Sequence, residues 1–91
     1  MATTFELGKV VMTRGIQRLV EGEDFDPLPY LRRHASGDWG DALGEDDKKR
    51  NDEAVNNGTR ILSAYATDHG KIWIITEAGR HATTILKPSE Y

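Results

Sequence analysis

The stretch that most restricts the fold is residues 60–87, RILSAYATDHGKIWIITEAGRHATTILK. Three runs within it, 61–65 (ILSAY), 72–76 (IWIIT) and 82–86 (ATTIL), are dense in β-branched and aromatic side chains, which suit a pleated, half-buried surface. Each is too short to compete as a helix. Asp68, His69 and Gly70 supply turn chemistry after the first run, and Glu77, Ala78, Gly79 and Arg80 after the second. A four-residue connection in the first hairpin and a two-residue one at Ala78 and Gly79 in the second predict the two faces. One face carries Ile61, Ser63, Tyr65, Ile72, Ile74, Thr76, His81, Thr83 and Ile85. The other carries Leu62, Ala64, Ala66, Trp73, Ile75, Ala82, Thr84 and Leu86. A slip of one residue would exchange them. Both faces are apolar enough that a single layer of helices leaves one over, for a second layer or for a partner. Trp73 and Ile75, midway along the middle strand, are expected at the centre of the core.

Ahead of this meander, residues 1–5 read as a loose end, and residues 7–12 (LGKVVM) as a first strand. Thr13 is placed to cap a short helix in which Ile16, Leu19 and Val20 form an apolar stripe, with Gly22 at its end. Asp26 and Pro27 open a second helix, Pro27 at a position where its missing N–H costs nothing. Leu28, Leu31 and Ala35 are expected inward, Arg32 and Arg33 outward, and Gly37 stops the helix. Residues 44–57 (GEDDKKRNDEAVNN) form a third helix, acids before bases as the helix dipole favours. It is polar enough to be a solvated outer face, with Asn51 on its apolar side positioned to bond a loop, and Gly58 ends it.

The chain of 91 residues makes one domain, residues 1–91, and holds no cysteine, which excludes a disulfide framework and thiolate chemistry. Its net charge of −3 gives no general attraction to nucleic acid. Residues 1–6 lack the pattern of a secretion signal and no run reaches membrane-span length, so a cytoplasmic location and no membrane partner are expected. His34, His69 and His81 show no metal-ligand spacing and are expected as independent surface residues. The acidic segment 38–47 lacks the ligand spacing of a calcium loop, and neither a phosphate loop nor a nucleophile elbow occurs. No metal and no cofactor are expected.

Two constellations remain. Asp38, Trp39, Gly40 and Asp41 place a tryptophan between acids and glycine; Trp39 is expected to plug the end of a core. Its other possible role is an exposed anchor for a partner, with Asp38 and Asp41 beside it as binding residues. On the meander, Tyr65, His81 and Thr83 share a predicted face, with Arg80 at its end and Lys87 past the last strand. A strand, two helices and a meander bearing these groups resembles the layout of RelE-like mRNA-cleaving toxins. That likeness implies a ribonuclease using His81, Arg80, Tyr65 and Lys87 for proton transfer and charge stabilisation. The succession LRRHASGDWGD, GTRILSAY, KIWIITEAGR and TTILKPSEY also resembles a family of small bacterial proteins carried on plasmids and integrative elements. That resemblance implies an accessory protein of mobile DNA and brings no catalytic residues with it.

The sequence therefore predicts an α+β domain, an antiparallel sheet of three or four strands packed with two or three short helices. The preferred function is a non-enzymatic macromolecular binding module that modulates or interferes with a host complex. Its partner is expected to be another protein or a second copy, and not nucleic acid. The alternative is the RelE-like ribonuclease toxin.

Overall fold

The computed structural model describes residues 4–91. Strand β1 (Lys9–Met12) leads into helix α1 (Arg14–Gly22), followed by α2 (Leu28–Ala35) and α3 (Glu45–Asn57); the meander is β2 (Ile61–Thr67), β3 (Gly70–Thr76) and β4 (Ala82–Leu86). The chain is α+β, as its residue pattern predicts. Its four strands lie in the order β1-β4-β3-β2. The sheet is not purely antiparallel: β1 runs parallel to β4, pairing Val10 with Thr83 and Met12 with Ile85. A parallel neighbour needs a long crossover, and here everything between residues 12 and 82 provides it.

Within the meander the predicted faces hold. The first hairpin pairs Ile61 with Thr76, Ser63 with Ile74 and Tyr65 with Ile72. The second pairs Ile74 with Ile85 and Thr76 with Thr83. That is two residues from the predicted register, a shift that keeps every strand residue on its face. The reason is the connection, which is a 3-10 turn (Ala78–Arg80) rather than a two-residue turn. His81 falls outside β4 and is exposed.

One face is the core. Ile16 and Leu19 from α1, with Phe25, pack on Tyr65, Ile72, Ile74 and Ile85. A second cluster joins Phe5, Trp39, Ala54 and Ile61. Phe5 and Thr4 are therefore not a loose end: the Thr4 N–H donates to Ala35 O at 2.8 Å, and the Phe5 ring lies edge-on to His34. The part of that expectation covering residues 1–3 lies outside the described residues. Leu28, expected inward, is half exposed because α2 begins one residue after Pro27 and turns that position toward β1. Arg33, expected outward, is partly exposed and sets its guanidinium 4.7 Å from the Tyr65 ring centre.

His34 is the largest departure from expectation. It is not a surface residue but fully buried between the two apolar clusters. Its Nε2 lies 2.8 Å from Thr76 Oγ1, and its Nδ1 lies 2.5 Å from Ser63 Oγ. Thr76 Oγ1 is 2.7 Å from Thr83 Oγ1, which donates to Leu7 O. That last bond commits the single hydroxyl proton of Thr83, so Thr76 must donate to Thr83 and accept from His34. Nε2 therefore carries a proton; burial disfavours the charged imidazolium, so the ring is neutral and Nδ1 accepts from Ser63. Every polar group in the layer is satisfied, as buried polar groups require.

The outer edge of β2 is closed. Asn51 of α3 donates to Leu62 O at 2.7 Å and accepts from Leu62 N at 3.2 Å, bonding a strand where a loop was expected. Two residues on, Ala64 N donates to Trp39 O and Ala64 O accepts from Ala42 N. The loop carrying Asp38 to Asp41 is in effect a short clip on this edge.

Candidate functional site

The second sheet face joins neither apolar cluster. Ala64, Ile75 and Leu86 are buried, but Leu62, Trp73, Ala82 and Thr84 are only partly covered. Trp73 is therefore not the centre of the core; it points to the face opposite the helices, and mid-strand position alone does not decide that side.

Over this face lies an open groove of about 590 Å³. Leu62, Ala64 and Trp73 line it, α3 contributes Asp47 and Arg50, and Arg60 and Tyr91 come from the strand start and the tail. The Tyr91 ring meets Trp73 edge-on at 5.5 Å, and the Arg60 guanidinium lies 5.0 Å from the Tyr91 ring centre. Arg50 is 3.6 Å from Asp47, whereas Arg60 makes no ion pair among the described residues. An apolar aromatic floor with a few charged groups at its rim is the usual make-up of a binding depression. The tail is held in place by Glu90, which accepts bonds from Thr13 Oγ1 at 2.7 Å, Gly15 N at 2.9 Å and Lys87 N at 2.9 Å. Its carboxyl is held below the usual range, first by the Thr13 hydroxyl and then by the Lys87 N–H. The carboxylate also faces the positive end of α1.

The residues predicted for ribonuclease chemistry do not form one site. Tyr65 pairs with Ile72 at one end of β2, while His81 lies beyond the Ile61–Thr76 pair at the other. Four residues of strand separate those levels, about 13 Å. Tyr65 is fully buried and donates to Asp38 O at 2.6 Å; burial pushes its hydroxyl pKa up. Thr83 is buried in the His34 layer. Arg80 donates to Thr59 O and Ala54 O, both at 2.6 Å, and covers the Phe5 ring, so it caps the C-terminal end of α3. Lys87 is partly buried at the base of the tail.

Nor is Trp39 an exposed anchor. It is 5 % exposed, and its indole N–H donates to Asp52 at 2.8 Å. Asp38 forms a two-point pair with Arg33 at 2.7 and 3.3 Å and accepts from Gly40 N. The Arg33 hydrogen bond holds the Asp38 carboxyl below its ordinary range. Asp41 is exposed. In a Trp73→Phe variant the remaining Trp39 fluorescence should resist acrylamide, whereas the wild-type emission should contain an accessible Trp73 component. Full quenching of the variant would place Trp39 at the surface.

The groove residues Arg60, Leu62, Ala64 and Tyr91 were not singled out from sequence as a site. The available signal was the shared predicted face of Leu62, Ala64 and Trp73. Among the described residues no three His, Cys, Asp or Glu side chains lie where they could hold a metal ion. No helix is long and apolar enough to cross a membrane. Comparison with protein-family models, curated proteins and solved structures finds no match.

Proposed function

We propose that the chain is a non-enzymatic binding module of mobile DNA that engages a host protein in the cytoplasm through the groove over Trp73. The observation that carries this reading is the combination of an accessible aromatic floor with Arg60, a guanidinium that has no carboxylate partner among the described residues. An apolar side chain with an acid beside it has the chemistry to occupy such a site: the apolar part desolvates Trp73 and the acid meets Arg60. The resemblance to proteins of plasmids and integrative elements supports the setting. The separation of Tyr65 from His81, and the structural use of Arg80, leave the ribonuclease reading without a supporting geometry.

The test is capture from nuclease-treated host lysate by wild type, Arg60→Glu and Trp73→Ser, each checked by thermal melting. A protein retained by wild type and lost from both variants at unchanged melting temperature is the expected result. Capture that survives both substitutions, or that occurs only when the nuclease is omitted, would refute it. Expression should also leave growth intact. Growth arrest relieved by His81→Ala, an exposed position whose change spares the fold, would favour the toxin instead. Arg80→Ala is a poor probe because it uncaps α3.

A further inference from the structure

The two edges of the sheet are treated differently. Asn51 and the 39–42 loop close the β2 edge, but β1 has β4 on one side and, among the described residues, no strand on the other. All four β1 residues are exposed. Val10, Val11, Met12 and Leu28 are all the exposed large apolar side chains among the described residues except Tyr91. An apolar depression of about 600 Å³ lies beside the strand, lined by these four together with Leu31 and Ile85, among others. A bare apolar edge is a template for strand pairing unless charge, proline or a bulge blunts it, and here only Lys9 carries a charge.

We propose that β1 is the pairing edge of a twofold dimer, in which the β1 strands of two copies run antiparallel and join their sheets into one. The backbone dictates the register. Lys9 N donates to His81 O, just ahead of β4, and Thr13 N to Ile85 O of β4, so strand alternation turns the polar groups of Val10 and Met12 outward. An axis through Val11 then places Val10 opposite Met12 of the partner subunit, and Met12 opposite the partner's Val10, as hydrogen-bonded pairs. Val11 faces its own copy across the axis. Lys9 comes opposite Thr13 of the partner subunit, so no like charges meet. This self-complementarity, with apolar partners at every central position, favours a second copy over a foreign strand. The interface is small, so the association is weak and depends on concentration. It leaves the Trp73 groove free in both copies.

Sedimentation equilibrium over a concentration series tests this. The wild-type mass should rise from 10.2 kDa toward twice that value. Val11→Lys, which sets two ammonium groups face to face on the axis, should weaken association at least about tenfold, with an unchanged melt because Val11 is exposed. Amide exchange gives a second readout without mutation: Val10 and Met12 N–H should gain protection as concentration rises. A mass of 10.2 kDa at every concentration would overturn the proposal, leaving the edge to a strand of another protein or to none. So would a dimer that tolerates Val11→Lys but dissociates with Trp73→Ser, or exchange at Val10 and Met12 that ignores concentration.

Discussion

Acidification from pH 6.5 toward 3 should remove about 4–5 kcal/mol of folding stability through His34 alone, at about 1.4 kcal/mol per pH unit. Burial is the main cause, with the Arg80 charge second; together they lower the His34 pKa from 6.5 to about 3. Protonation would turn Nδ1 into a donor aimed at the Ser63 hydroxyl, which itself donates there. The unfolded chain takes up this proton near pH 6.5 and the folded one only near 3, so the unfolded state binds more protons throughout that window. The contribution is complete above pH 6.5 and declines as pH falls. Asp38 and Glu90, with lowered carboxyl pKa values, lose their smaller contributions only at more acidic pH. The interval between pH 6.5 and 4.5 is therefore diagnostic. Denaturant unfolding across it should show a slope approaching one proton in wild type and a flatter one in His34→Gln. Equal slopes would mean that His34 titrates normally and is not sealed in the core.

Gly40→Ala should cost about 3 kcal/mol or more, a large fraction of the stability of a domain this size. A Cβ at this position would lie 2.0 Å from Ala64 O and 2.8 Å from the Tyr65 ring, and the residue has φ 93°. The backbone must move off β2, taking with it the Trp39 and Ala42 bonds to Ala64. Gly58 is the control: its φ of 78° imposes similar backbone strain, but nothing lies within 4 Å of the added Cβ. Gly58→Ala should therefore cost only about 1 kcal/mol. Chemical denaturation of the two variants separates close approach from strain. Near-equal losses would show that the loop yields easily and does not clip the sheet.

The meander was legible because alternation is a local property. Ile61, Tyr65, Ile74 and Ile85 declare one face whatever their neighbours do, and a register error of two residues leaves that face intact. The partner of β1 was not legible, because Val10 and Thr83 are joined by contacts more than seventy residues apart and no local pattern encodes a parallel pairing. His34 reads as a surface residue because it follows Arg32 and Arg33 and no local pattern marks a lone histidine for burial. Its burial depends on Ser63, Thr76 and Thr83, hydroxyls that already shared a predicted face with isoleucines and needed a buried partner. The role of Trp73 turned on which face the helices choose, and two apolar faces leave that choice open. Arg80 read as a functional cation because the α3 carbonyls that it caps are distant in sequence. Trp39 was expected to plug a core and does, with Asp52 receiving its N–H.

The strand order β1-β4-β3-β2 also has a consequence for synthesis on the ribosome. The first strand made must wait for the last, since among the described strands only β4 lies beside it. Helices α1 to α3 can form while the chain emerges, and the β2–β3 hairpin can close on its own. Until residue 86 has cleared the exit tunnel, however, β1 keeps two open edges and its valines stay bare. Closing so long a loop is slow, as for any fold dominated by distant contacts. The nascent chain thus spends its most association-prone interval with Val10, Val11 and Met12 exposed on both edges.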